Sequence, residues 1–137
     1  MEQQIIPMLS YEKGVAMMDW LCSVFGFTEK TKWLDDDGRL THGEIAMGES
    51  IIMLATPSPD YKSPASLKNI SEVAAKMYDI PYIINGVLVY VDDVKNHFKH
   101  ARVNGAVILS EIETGGPGTR YRAEDLEGQR WMFMERA

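Results

Sequence analysis

His42 and Glu44 are the pair in this chain best spaced for acid–base chemistry. Strand side chains repeat every second residue, so His42, Glu44 and Ala46 share one face of a predicted strand. On a concave face, an imidazole beside a carboxylate can contact a ligand or move a proton. The plainer alternative is the polar face of an edge strand. His97 and His100 stand at i,i+3 on a predicted helix, a spacing that can clamp a metal. Lys95, Asn96 and Lys99 around them read instead as a solvated face. Arg120, Arg122 and Arg130 offer cations to an anionic ligand, although Arg130 is close enough to a turn to reach solvent. Cys22 reads as a small core residue, because no adjacent cation would lower its pKa. Gly115, Gly116 and Gly118 are not a phosphate loop, since no Lys-Ser or Lys-Thr follows them.

These groups depend on strands to position them, and the closing stretch 119–135 is the clearest. Two strand-like runs flank Asp125, Leu126, Glu127 and Gly128, a turn in which the glycine supplies positive φ. The second run alternates, with Trp131 and Phe133 on one side and Arg130, Met132 and Met134 on the other. The aromatic side suits packing on a helix. Upstream, 3–10 reads as a first strand, with Pro7 tolerable at an edge. Residues 11–24 read as an amphipathic helix capped by Ser10, with Val15, Met18, Leu21, Cys22 and Phe25 at helical spacing and Gly26 at its end. Strands follow at 27–34, 40–47 and 50–55, the first two joined by an Asp-Gly turn at 35–38.

Residues 56–85 break the pattern with four prolines and a short helix at 71–78, capped by Ser71. Such an excursion serves as a linker, lid or binding loop. A strand at 86–91, a helix from Asp92 or Asp93 through Val103, a strand at 106–111 and a glycine-rich loop at 112–118 lead into the closing hairpin. Each half therefore reads β-α-β-β-β, and Gly26 and Gly105 play the same part in each. One such unit leaves a sheet face and a helix stripe half covered, so two are expected to share a core.

Composition narrows the function classes. A chain of 137 residues fits one domain. A net charge of −6 without a basic stripe argues against nucleic acid. No apolar run approaches the roughly 20 residues of a membrane helix, and the first residues lack the order of a signal peptide. A single cysteine suits a reducing, cytoplasmic setting. The nine methionines are pliable, polarizable side chains that fill cores and line adaptable surfaces.

Three segments, 19–27 (DWLCSVFGF), 89–94 (VYVDDV) and 125–133 (DLEGQRWMF), together with the element order, resemble the vicinal oxygen chelate superfamily of glyoxalases, bleomycin-resistance proteins and extradiol dioxygenases. The resemblance spans nearly the whole chain except the connection, and is strongest to small glyoxalase-like and bleomycin-resistance-like members. It implies two modules that curl their sheets around a cavity, helices outside, and a homodimer. It also implies, for the metalloenzymes, His, Gln or Glu ligands on the first and last strands of each module. Here those positions hold Ile6, Met53, Gly86 and Met132, and a one-residue slip brings Ile5, Pro7, Ile52, Leu54, Val87, Trp131 or Phe133. None is a donor for a hard divalent cation.

The expectation is thus an α+β chain forming a single domain, 1–137, with βαβββ modules 1–55 and 84–137 joined by 56–83. No metal or other cofactor is expected at the family site. The leading function is metal-independent binding of a small apolar or aromatic molecule. Two alternatives stay open: a lyase, isomerase or dioxygenase with relocated ligands or with His42 and Glu44 as bases, and a partner-binding subunit with a filled pocket. Met8, Trp33, His42, Glu44, Met53, Leu88, Tyr90, Arg122, Met132 and Met134 are the expected ligand-binding residues. Residues 56–85 are expected to act as a flap.

Overall fold

A computed structural model describes residues 3–82 and 84–137. Residues 1, 2 and 83, which the sequence places in the first module and the connection, lie outside the described residues. The chain divides after Tyr61 into two units.

The first unit runs β1 (Met8–Ser10), α1 (Gly14–Phe25), β2 (Thr28–Leu34), β3 (Leu40–Met47) and β4 (Ser50–Ala55). Its sheet has the order β1-β4-β3-β2, with β1 parallel to β4 and the other pairs antiparallel. The expected β-α-β-β-β order holds, with three local differences. The first strand covers only Met8–Ser10, although the Pro7 carbonyl still accepts a hydrogen bond from Met53 N–H at 3.0 Å. Proline has no N–H to return, so the ladder stops there.

The second difference is the start of α1, at Gly14 rather than after Ser10. Tyr11 is instead buried and its N–H donates to the Ala55 carbonyl at 2.9 Å, which continues the β1 direction. Lys13 occupies the N-cap without a side-chain cap bond, and Thr56 Oγ1 accepts the Gly14 N–H at 3.0 Å. A residue distant in sequence thus satisfies one of the free donors at the helix start. Gly26 closes α1 in the left-handed conformation at φ 86°.

The third difference is the helix face. Met17, Met18, Leu21, Val24 and Phe25 are buried, whereas Val15 and Cys22 are only half-buried. Cys22 is therefore not a core residue. Partial burial, with the charges of Glu29 and Asp19, pushes its thiol pKa up. The buried stripe meets Ile45, Ile52 and Leu54 on one sheet face, and Gly43 leaves the space that the Met18 sulfur occupies. In the β2–β3 turn, the Arg39 and Asp37 N–H groups each donate to Asp35 Oδ1 at 2.9 Å. The Arg39 backbone bond is the main cause that holds the Asp35 carboxyl below its ordinary range.

The second unit runs α2 (Pro64–Ile70), α3 (Glu72–Tyr78), β5 (Gly86–Tyr90), α4 (Val94–Val103), β6 (Val107–Ile108), β7 (Glu113–Gly115), β8 (Gly118–Glu124) and β9 (Arg130–Arg136). Its sheet order, β5-β9-β8-β6 with β7 beside β8, repeats that of the first unit, again with first strand parallel to last. The fold is α+β with two mixed sheets. Ser71 caps α3 by accepting the Ala74 N–H at 3.2 Å, as its position predicts. The sequence reading missed α2, although Ser63 as cap followed by Pro64 at the first helical position is a start signal. The expected strand at 106–111 shrinks to two residues, and part of the glycine-rich loop pairs as β7.

Val94, Phe98 and Ala101 of α4 are buried, as are Tyr121, Trp131 and Phe133 of the sheet. Phe98 meets Tyr121 edge-on at 5.1 Å, and Tyr121 stacks on Phe133 at 5.4 Å. Full burial of each large apolar side chain stabilises the fold by roughly 1.5–3 kcal/mol. His97 belongs to this cluster and corrects the reading of a solvated surface histidine. Its ring lies 4.2 Å from that of Phe133, and Nδ1 sits 2.6 Å from the Tyr121 hydroxyl. His100 is exposed, so the i,i+3 pair does not converge.

Candidate functional site

In the second unit, strand alternation turns Trp131 and Phe133 into the aromatic core and leaves Arg130, Met132 and Met134 on the other face. Register then assembles rows across that face. Leu88 pairs with Met132, and Met132 with Arg122; Tyr90 pairs with Met134, and Met134 with Arg120; Gly86 pairs with Arg130, and Arg130 with Glu124. Above the first row lies a cavity of about 320 Å³. Leu88, Met132 and Arg122 line it, and Pro81, Tyr82, Ile84 and Asn85 form a wall from the end of the connection. Its volume is at the lower end of the range for ligand sites.

Arg130 joins that wall to the sheet. The sequence reading allowed it to reach solvent; it is instead only 3% exposed. Its Nε donates to Glu124 Oε2 at 3.0 Å, and its two terminal nitrogens donate to the carbonyls of Ile80 and Tyr78. The guanidinium also lies 5.6 Å from the Tyr78 ring centre. A planar fork of donors suits this four-way grip, which a lysine could not reproduce. The residues that carry the wall are thus held on their inner side by one buried arginine.

The Asp125–Gly128 turn is structural. Asp125 Oδ1 accepts the N–H groups of Glu127 and Gln129 at 3.0 and 3.1 Å, and its Oδ2 accepts Trp131 Nε1 at 3.2 Å. Gly128 has φ 87°, and the start of α2 presses against it, with the Ala65 N–H donating to the Glu127 carbonyl at 3.0 Å. The turn therefore fixes both the Trp131 ring and the beginning of the connection.

Of the other expected residues in this unit, Tyr90 is partly exposed and carries the Arg136 guanidinium 3.7 Å from its ring centre. Met134 is buried and, like Tyr90, is not among the residues lining the cavity.

In the first unit, the expected residues also share a sheet face. Met8 pairs with Met53 and Met53 with Glu44, while His42 pairs with Trp33 on the edge strand. His42 Nε2 lies 3.6 Å from Glu44 Oε2, and the His42 and Trp33 ring centres are 5.5 Å apart. Met8 and Trp33 are 74% and 65% exposed. This face offers one acid–base pair on an accessible apolar surface. A wider depression of about 670 Å³ lies elsewhere in the unit, lined by the start of α1 and by Asp35, Asp37 and Arg39.

A divalent ion does not fit the positions that the resemblance marks as ligands. Met53 stands between Met8 and Glu44, and Met132 between Leu88 and Arg122, so thioethers and a guanidinium replace oxygen and imidazole donors. Among the described residues, no three His, Cys, Asp or Glu side chains gather as a possible metal site.

Sequence alone offers Arg130 as a cation for a ligand or for solvent, not as the buried partner of Glu124, and it does not mark the wall residues Tyr82, Ile84 and Asn85. A signal for the Arg130–Glu124 pair was present. Glu124 and Arg130 flank the 125–129 turn symmetrically, which sets opposite charges directly across the hairpin. The wall carried no periodic pattern to read.

The family model described as glyoxalase/bleomycin resistance protein/dioxygenase superfamily matches residues 12–133. No curated protein matches the chain significantly. Among solved structures, TioX from Micromonospora sp. ML1 is similar at 26% identity and TM-score 0.70, over 98% of this chain and 97% of that one. A glyoxalase/bleomycin resistance protein from Streptomyces sp. CB03234 is similar at 14% identity and TM-score 0.67, over 96% and 99%. TnmS3, an antibiotic binding protein from Streptomyces sp. CB03234, is similar at 15% identity and TM-score 0.63, over 100% and 99%.

Proposed function

The chain belongs to the glyoxalase/bleomycin resistance protein/dioxygenase superfamily, and from that premise we propose that it binds a small apolar or aromatic molecule without a metal ion. The observation that carries this reading is the cavity of about 320 Å³ in the second unit. Leu88, Met132, Tyr82 and Ile84 give it apolar walls, and burying a ligand against them gains about 25 cal/mol per Å² removed from water. The Met132 thioether adapts to flat groups and makes favourable contacts with aromatic rings. The antibiotic binding protein TnmS3 has this fold, which makes such a use of the fold a natural one. Met8, Trp33 and Met53 on the open face of the first sheet supply a second apolar surface for the same class of molecule. The working state in this reading is a homodimer in a reducing cytoplasm, as the family resemblance and the single cysteine suggest.

The test is a thermal-shift screen of neutral planar aromatic compounds and antibiotics, run in parallel on the parent and on Met132→Glu. A ligand of the cavity raises the melting temperature of the parent in proportion to its affinity. It loses that effect in Met132→Glu, where a carboxylate, free to pair with Arg122 across the hairpin, replaces the apolar thioether against which the ligand is buried. Equal shifts in both proteins would move the ligand away from this cavity.

One observation favours a second reading. The His42–Glu44 contact of 3.6 Å beside the Trp33 ring supports a metal-free general base acting on a ligand stacked there. Exchange of an acidic C–H of such a ligand into D₂O, lost in His42→Gln, would favour it over simple binding.

A further inference from the structure

Arg122 differs from every other arginine of the chain. Arg39 pairs with Asp35, Arg120 with Glu113 and Arg130 with Glu124, at 3.1, 3.6 and 3.0 Å. Arg102 lies over the Phe98 ring and Arg136 over Tyr90. Among the described residues, the Arg122 guanidinium has neither a carboxylate in ion-pair reach nor a hydrogen-bond acceptor nor a ring. Acids are not scarce, since the chain has 20 of them against 14 Lys and Arg. The nearest ionic residues on its own strand face, Arg120 and Glu124, are each already engaged.

Its place is fixed nonetheless. The Arg122 N–H donates to Ser110 Oγ at 2.9 Å and its carbonyl accepts the Leu109 N–H at 2.9 Å. The backbone is therefore saturated, and the side chain is half-buried in the cavity wall beside Met132. A cation held next to apolar side chains loses part of its hydration, and an anionic partner restores it. The guanidinium fork matches a carboxylate in two parallel hydrogen bonds.

We propose that the cavity takes an anionic ligand, a planar apolar body bearing a carboxylate, with Arg122 as the residue that reads the charge. The proposal rests on the binding reading of this cavity and adds the chemical class. Leu88, Met132 and Tyr82 hold the body, and Arg122 selects the acid over neutral molecules of the same shape. An interaction of this kind separates the two by roughly tenfold to a hundredfold in affinity.

The experiment is calorimetric titration of the full chain with 2-naphthoate and with 2-naphthamide, which share a shape and differ in charge. The expected result is tighter binding of the acid by at least about tenfold, with a gap that narrows as salt is added. Arg122→Gln is expected to bring the acid down to the affinity of the amide and so to close the gap between them. Arg122→Lys should keep part of the preference. Equal affinities in the parent, or a gap that survives Arg122→Gln, would overturn the anionic class and leave the binding reading standing. Failure of both compounds to bind would overturn both. Should Arg122→Gln not fold, the salt dependence of the acid–amide gap in the parent decides the same question.

Discussion

Arg130 and Glu124 face each other across the last hairpin at 3.0 Å, and the pair is 3% and 6% exposed. The ion pair is completed by main chain, because the carbonyls of Tyr78 and Ile80 each accept from one terminal guanidinium nitrogen. A charge pair this far from water is stabilising only while every member is matched. Arg130→Ala leaves the Glu124 carboxylate buried alone and frees the 78–80 segment. The expected loss is about 3–5 kcal/mol in urea unfolding. Replacing both residues, as in Arg130→Met with Glu124→Leu, should recover much of it. A double variant no better than the single one would show that the carbonyl bonds, and not the ion pair, hold the site together.

Gly128 occupies φ 87°, and a Cβ there would stand 2.9 Å from both the Ala65 nitrogen and Pro64 Cβ. Gly128→Ala therefore combines left-handed backbone strain of about 1–2 kcal/mol with a clash against the start of α2. The clash should appear as faster hydrogen exchange at the Ala65 amide, which donates to Glu127. Unchanged exchange, with stability within about 0.5 kcal/mol of the parent, would mean the turn tolerates the side chain.

The tyrosine beneath α4 gives a pH dependence with a definite sign. Burial pushes the Tyr121 phenol well above its ordinary value. Below pH of about 10 the hydroxyl is protonated in both folded and unfolded chains, and it costs nothing. Above that, the unfolded chain ionises while the folded chain resists, so the folded state binds more protons and stability falls as pH rises. Tyr121→Phe should flatten the alkaline loss. It should also lower stability at neutral pH by about 0.5–1.5 kcal/mol, because the hydroxyl contacts His97 Nδ1 at 2.6 Å. An alkaline limb as steep in Tyr121→Phe as in the parent would assign the dependence to other groups.

Much of the fold could be read from local pattern. The β3 and β4 boundaries, the Gly26 terminus and the Ser71 cap follow from alternation and capping chemistry, which depend on neighbours in sequence. The start of α1 could not, because its donor is satisfied by Thr56. His97 was misread for a related reason. Its helical neighbours are polar, and only contact with the β8–β9 aromatic surface half-buries it and engages its ring. At the site, alternation placed Leu88 and Met132 together, and register then set Arg122 beside Met132. The wall residues Tyr82, Ile84 and Asn85 lie in an irregular segment, whose path depends on the distant Arg130 rather than on its own sequence.

At the positions that the family resemblance marks as metal ligands, Met53 and Met132 present thioethers, and Arg122 stands across from Met132. A divalent cation there would lose water and gain only weak donors, while a fixed positive charge opposed it. Elemental analysis of protein purified without added metal is expected to give well below one equivalent of Zn, Ni, Mn or Fe. Chelation should leave the melting temperature unchanged, since no binding free energy is coupled to folding. Added Ni²⁺ or Mn²⁺ should produce no shift either. A stoichiometric ion whose removal lowers stability would instead require relocated ligands, and His42 with Glu44, 3.6 Å apart, would be the first pair to substitute. Loss of metal in Glu44→Gln, with the fold retained, would then transfer the functional centre from the Arg122 cavity to the face of the first sheet.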